Sequence, residues 1–136
     1  NGPRYLYPKG FPLSKTLFAS WMLGNKHRKV AIVEGSLDAV ACWNARVPAL
    51  ALLGSRLTVT QEKLLHHLGI EHIVVFTDND SAGREAVGQI LQTVNGIHVS
   101  LAQYRTYWNA KDPGELTEQQ IRKGYHSAKP LTFNLR

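Results

Sequence analysis

The chain has 136 residues, 43% of them hydrophobic and 19% charged, which fits one ordinary globular domain and excludes a disordered chain. Its longest apolar runs are strand-sized, so nothing in it reads as a membrane span, and no stretch reads as a signal peptide. The whole net charge of +6 falls in residues 1–29, where Arg4, Lys9, Lys15, Lys26, Arg28 and Lys29 stand without any acid, while the ten basic and ten acidic residues beyond them cancel.

Residues 1–13 interleave Gly and Pro with Tyr5, Leu6, Tyr7 and Phe11 and read as an extended arm anchored through aromatics. A short helix is predicted next, with Ser14 as its cap and Leu17, Phe18, Trp21 and Met22 at helical spacing. Lys26 to Lys29 form a basic connector. Val30–Val33 is the first strand, and a helix follows over Leu37–Ala45, with Leu37, Val40, Ala41 and Trp43 as its buried side. The unbroken apolar run Ala49–Leu53 suits a strand covered on both faces. Thr58 and Gln61 form a capping box for a helix reaching about Leu68, with Gly69 behind it.

His72–Phe76 is the third strand, and Ala82–Val94 is a helix with Ala86, Val87, Ile90, Leu91 and Val94 as its core stripe. Ile97–Leu101 is the fourth strand. A loop through Trp108 and Asp112-Pro113-Gly114 leads to a helix capped by Thr117 and ending near Gly124. Strands alternating with helices predict an α/β domain with a mainly parallel sheet. The organisation expected is a basic arm and short helix over 1–29, the α/β domain over 30–124, and a basic tail over 125–136. Leu131, Phe133 and Leu135 alternate in that tail, as an edge strand or a packed end.

Two acidic clusters stand directly behind strands. Val30-Ala31-Ile32-Val33 runs into Glu34-Gly35, with Asp38 four residues on from Glu34. His72–Phe76 runs into Thr77-Asp78-Asn79-Asp80. Open α/β sheets bind ligands outside the carboxyl ends of their strands, so these acids stand where a divalent cation for phosphate chemistry would be held. Asp-Asn-Asp-Ser is equally good turn and N-cap sequence, and Asp38 suits a helix first turn whatever its function, so the residues alone leave both roles open. Gly35 gives the backbone freedom to turn and room for a phosphate. Arg56, Arg84 and Lys111 sit beside strand ends, where each reads as a phosphate contact or a salt-bridge partner of the acids. Tyr104, Tyr107 and Trp108 flank Arg105 and read as loop anchors or as stacking surfaces for bases. Cys42, the only cysteine, lies on an apolar helical pattern and reads as core, and the histidines lack metal-ligand spacing. The basic segment reads as a grip on nucleic-acid phosphates beside the acidic pocket, or as a solvated surface.

Glu34-Gly35, Asp78-Asn79-Asp80 and Ser81-Ala82-Gly83-Arg84, in that order at strand ends, resemble the Toprim domain of primases, topoisomerases, some nucleases and recombination proteins. The resemblance runs from about Val30 to Leu116. It is closest to primases of the bacterial and phage (DnaG-like) type, on Glu34-Gly35-Ser36-Leu37-Asp38-Ala39, Leu53-Gly54-Ser55-Arg56-Leu57 and Lys111-Asp112-Pro113-Gly114-Glu115-Leu116. The arm Pro3–Pro8 is similar to the segment leading into such a domain.

The resemblance implies a Rossmann-like Toprim fold, with a central four-stranded sheet between helices. It implies metal-dependent nucleotidyl transfer that builds RNA primers on single-stranded DNA from nucleoside triphosphates. Glu34 is then the general acid or base, and Asp78, Asp80, Asp38 and Asp112 are the ligands for Mg²⁺ or Mn²⁺. Gly35, Arg56, Arg84, Lys111, Lys26, Arg28 and Lys29 are the nucleotide and nucleic-acid contacts. Some primases carry a further acid where this chain has Asn109. The family's zinc-binding module has no counterpart here, so a separate module and a replicative helicase are expected partners, in the cytoplasm of a bacterial or phage-infected cell. Two other readings stay open: a Toprim nuclease or topoisomerase-like enzyme that cleaves phosphodiesters, and a nucleic-acid-binding module without activity.

Overall fold

The structure, a computed structural model, describes residues 12–134, with side chains through Leu131. The arm Pro3–Pro8, with Tyr5 and Tyr7, and Leu135 of the tail lie outside the described residues.

Among the described residues, five strands and four α-helices alternate: β1 Lys29–Val33, α1 Ser36–Asn44, β2 Ala49–Ala51, α2 Val59–His67, β3 His72–Val75, α3 Ser81–Thr93, β4 Ile97–Leu101, α4 Glu118–His126 and β5 Lys129–Asn134. They form one sheet in the order β2-β1-β3-β4-β5. The first four strands are parallel, and β5 runs antiparallel to β4. The sheet therefore has five strands where the sequence predicts four, because the tail pairs along β4. Pro130 lacks an N–H to donate, yet an edge strand tolerates it, and it stands opposite Ser100 beside the register shift at Val99 and Ser100.

The two-residue period of the strands sorts the core into two layers. Ala31, Val33, Val74 and Phe76 face Ala39 and Cys42 of α1 and Ile121 and Tyr125 of α4. Val30, Ile32, Ile73 and Val75 face Leu65 of α2 and Ile90 of α3. Each helix is thus tied to one face, and the parallel strands all point their carboxyl ends to the same rim. Thr58 and Thr117 cap α2 and α4 by accepting from the Gln61 and Gln120 N–H groups.

Two local expectations are corrected. The segment after Pro12 is not a helix. It makes two 3-10 turns, Leu13–Lys15 and Ser20–Met22, separated by Ala19 in left-handed backbone (φ 74°). Phe18 between them pairs with Ala51 on the free edge of β2, through backbone bonds of 3.0 and 3.1 Å. The buried Gln61 amide holds this segment by donating to Leu13 O, Thr16 O and Leu52 O. The second correction concerns α1, whose buried face carries Asp38, Ala39 and Cys42, while Leu37 is 61% exposed and Val40 also faces solvent. Ala41 and Trp43 pack against the core as apolarity suggested, but Leu37 and Val40 do not, because the helix turns Asp38 inward, toward the strand ends.

Candidate functional site

The chain leaves β1 toward β2 on one side, and leaves β3 toward β4 on the other. The rim between β1 and β3 is therefore the point where strand order reverses, the crevice in which open α/β sheets bind ligands. Glu34 follows β1 and Asp78 follows β3, and the Asp78 N–H donates to Glu34 Oε1 at 3.0 Å. Asp38 comes in from the first turn of α1. Its carboxylate accepts from Gly35 N–H at 3.3 Å and from Gly114 N–H at 2.9 Å, which ties α1 to the Asp112-Pro113-Gly114 turn. Asp112 caps that turn by accepting from Glu115 N–H at 3.2 Å. These four acids line a cleft of about 640 Å³. Its far wall is the Leu53-Gly54-Ser55 turn, where Leu53 sits at φ 61° and donates its N–H to Glu34 O at 2.8 Å. A branched side chain in left-handed backbone is strained, and such strain persists only where the surrounding structure holds it.

Charge is concentrated here at a cost. Burial first, then the neighbouring Glu34, Asp38, Asp112 and Asp80, push the Asp78 carboxyl up to about 7. Burial and then Asp112 push Asp38 up to about 6, against the two backbone N–H bonds. Glu34 is raised chiefly by burial, partly offset by its bond from Asp78, with Asp80 and Asp112 adding to the rise. Asp78 Oδ1 is buried and has no hydrogen-bond partner. An orphaned carboxylate oxygen among like charges is what a bound cation would satisfy. Among the described residues no three His, Cys, Asp or Glu side chains form a ready cage. The residues present therefore fit Mg²⁺, which uses one or two carboxylates and keeps water or phosphate oxygens, better than an ion needing a full protein cage.

Asp80 stands apart from the cleft lining. It is the N-cap of α3, accepting from Gly83 N–H at 2.7 Å. Gly83 is a residue whose importance its motif did not reveal. A Cβ there would meet Asp78 O at 1.8 Å, so only glycine lets α3 start against the Asp78 loop. Thr77 Oγ1 donates to Gly83 O at 3.0 Å and closes the same loop. Gly35, by contrast, has extended backbone (φ −109°) and makes no sharp glycine-dependent turn; it contributes its N–H and its lack of a side chain at the cleft wall.

The basic residues divide by place. Arg56 is exposed just beyond the Leu53–Ser55 turn. Lys111 is exposed on a loop whose backbone is tied to the Asp78 loop, Asn79 N–H donating to Lys111 O at 2.6 Å. Arg84 lines a second cleft that shares Asp78 with the first. The ion pairs of the described residues, Glu62–His66 and Glu118–Arg122, leave Arg84 without a carboxylate partner. Lys26, Arg28 and Lys29, expected beside the acidic pocket, stand away from it. They sit at the amino end of β1, and Glu34 follows its carboxyl end. The strand separates the two groups by roughly 16 Å at about 3.3 Å per residue. Lys29 Nζ lies 5.0 Å from the centre of the Tyr125 ring, and Arg28 Nη1 reaches Gly69 O at 3.5 Å. In the loop after β4, Tyr104 is an anchor that donates to Thr77 O and packs edge-on against Phe76, while Tyr107 is 77% exposed. Asn109 adopts left-handed backbone (φ 50°).

A family described as Toprim-like matches residues 31–117. A DNA primase of Mycoplasma genitalium is 29% identical over 108 residues, 78% of this chain but 18% of the primase. A DNA primase domain from Pseudomonas aeruginosa superposes with a TM-score of 0.77 at 24% identity, over 96% of this chain and 45% of that one. A DnaG primase catalytic domain bound to single-stranded DNA superposes with a TM-score of 0.73 at 22% identity, over 90% and 42%. The chain thus spans under half the length of these structures and about a fifth of the curated relative. No described helix is long and apolar enough to cross a membrane.

Proposed function

Because the chain belongs to the Toprim-like family, we propose that it is the metal-dependent nucleotidyl-transfer domain of a DNA primase, joining nucleoside triphosphates into RNA primers on single-stranded DNA. The observation that carries this reading is the buried carboxylate cluster at the switch of strand order, with Asp78 Oδ1 left without a partner. Asp78 and Asp38 would hold Mg²⁺ or Mn²⁺, with the charge of Glu34 close by. That ion, when bound, neutralises the cluster and polarises the phosphate oxygens of the nucleotide.

Glu34 is the proposed general base. Burial moves its pKa upward, toward the pH at which a base works best. One of its oxygens is fixed by the Asp78 N–H, which leaves the other to take the proton of a 3′-hydroxyl. Asp38 and Asp112 position the Gly114 turn against the cleft and add negative charge to it. Asp80 holds the start of α3 and so the Asp78 loop. Arg56 and Lys111 are proposed phosphate contacts at the rim. Lys26, Arg28 and Lys29 hold backbone phosphates at a distance from the reaction. The helicase and zinc-binding module expected from the resemblance act through parts of a primase beyond this domain, in the cytoplasm.

The test is to place the domain in its full-length context with Mg²⁺ or Mn²⁺, single-stranded DNA and labelled triphosphates. Labelled primers that vanish with Glu34→Gln are expected. Cleavage of the template without synthesis overturns the reading in favour of a nuclease, and binding without either reaction overturns it in favour of an inactive module.

A further inference from the structure

The second cleft, of about 400 Å³, lies between the start of α3 and the carboxyl end of β4. Its floor is apolar, with half-buried Val87 and Leu101 over the buried Val75 and Ala102, and its rim carries Asn79, Gln103 and Arg84. The two clefts meet at Asp78, which lines both. The first is walled by carboxylates. The second holds an exposed guanidinium with no carboxylate partner among the described residues. An apolar floor with a few polar groups at the edge suits a flat, partly polar body, and a free guanidinium at the mouth suits a phosphate. Gln103 spends its amide nitrogen on Leu101 O, and Asn79 spends its own on Ala110 O. Each keeps its amide oxygen as an acceptor at the rim.

We propose that this second cleft is a nucleotide subsite: it takes the base on the Val75–Val87–Leu101–Ala102 floor and the phosphate on Arg84, and so holds one of two nucleotides side by side across Asp78. Joining nucleotides needs such a pair, so the proposal rests on the nucleotidyl-transfer reading for its ligand class. The subsite uses no residue of the carboxylate cleft except the shared Asp78 wall, and its occupancy needs no divalent cation.

The experiment is a titration of the chain with adenosine 5′-monophosphate in EDTA, followed by backbone amide NMR. Saturable shifts are expected at Val75, Arg84, Val87, Gln103 and Tyr104. Ribose 5-phosphate, which lacks the base, should bind about tenfold more weakly because the apolar floor stays wet. Arg84→Ala should weaken the monophosphate about tenfold and leave adenosine unchanged, since only the charge-assisted phosphate contact is lost. Arg84 is exposed, so this variant folds whatever the role of the cleft. Val87→Glu should abolish binding of both, with retained amide dispersion showing that α3 is intact. Shifts confined to Gly35, Gly54 and Gly114, no saturable shifts, or affinities unmoved by Arg84→Ala would each overturn the proposal. Primer synthesis is measured separately: its loss in Glu34→Gln with monophosphate binding retained supports both readings. Failed synthesis by the unaltered enzyme with binding retained removes only the nucleotidyl-transfer reading.

Discussion

Two glycines of α3 should respond to alanine with opposite signs. Gly88 lies in the middle of the helix, and a Cβ there meets nothing within 4 Å. Gly88→Ala should stabilise the protein by about 0.5–1 kcal/mol, the ordinary helix-propensity gain. Gly83→Ala gains the same propensity, but its Cβ would lie 1.8 Å from Asp78 O and 2.8 Å from Asp78 C. Ordinary contact begins at about 3.5 Å, so the start of α3 or the Asp78 loop must move by more than about 1.5 Å. Such overpacking costs about 1–3 kcal/mol. The Thr77–Gly83 and Gly83–Asp80 hydrogen bonds at 3.0 and 2.7 Å are strained or lost with it, at about 1 kcal/mol each. After the propensity gain, the net loss is about 2–4 kcal/mol, a fall in melting temperature of roughly 10 °C for a domain of this size. Urea denaturation of both variants, read by circular dichroism, measures the pair. A Gly83→Ala protein as stable as the parent would refute the claim that this glycine lets the Asp78 loop close.

Divalent cation should stabilise the fold: at a hundredfold excess over its dissociation constant, Mg²⁺ adds about 2.7 kcal/mol by mass action, and Asp78→Asn should lose most of that gain in a thermal melt. Without cation, stability should fall as pH rises from about 4 to about 7. Asp78 and Asp38 have raised folded-state values, of about 7 and about 6, so the native state binds more protons than the unfolded chain across that window and deprotonation favours unfolding. The Asp78→Asn/Asp38→Asn variant should flatten this slope in denaturation series at each pH, and an unchanged slope would remove the cluster as its source. Glu34→Gln should lower primer synthesis about 10²-fold or more in the full-length context while leaving single-strand affinity unchanged, as a gel-shift assay would read. Lys26→Ala/Arg28→Ala should weaken single-strand binding and lower its log–log salt slope by about 1.4, at about 0.7 per phosphate contact; an equal slope returns both residues to a solvated surface.

The alternation of strands and helices was legible because each strand is an unbroken apolar run and each later helix carries its own cap, as at Thr58 and Thr117. The acids were legible because Glu34 and Asp78 directly follow such runs. The face of α1 was not: Leu37 and Val40 are the apolar choice, yet the site draws Asp38 inward. The helix expected around Leu17 and Trp21 failed at Ala19, whose left-handed backbone follows from pairing with β2, a contact of long sequence separation. The fifth strand was one of two readings of the tail, and Lys129-Pro130, acceptable only in an edge strand, left the choice open. Gly83 and the second cleft depend on how α3 meets β3 and β4, which no spacing encodes. The basic connector was misread as standing beside the acids, although Lys29 and Glu34 bracket one strand and so must stand at its two ends.

That bracketing sets a local charge gradient along β1, with Lys26, Arg28 and Lys29 at its amino end and the cleft acids beyond its carboxyl end. In the field of a polyanionic strand such a molecule experiences a torque before it experiences any contact. If the domain meets a polyanion while free of divalent cation, its basic end should lead and its acids trail. A doubly charged ion held in the cleft would offset those acids and ease approach of the same strand from their side. Cation occupancy would then set the orientation of encounter as well as the chemistry that follows. Since the Debye length is about 8 Å at physiological salt, this selection acts only within the last nanometre or so of approach.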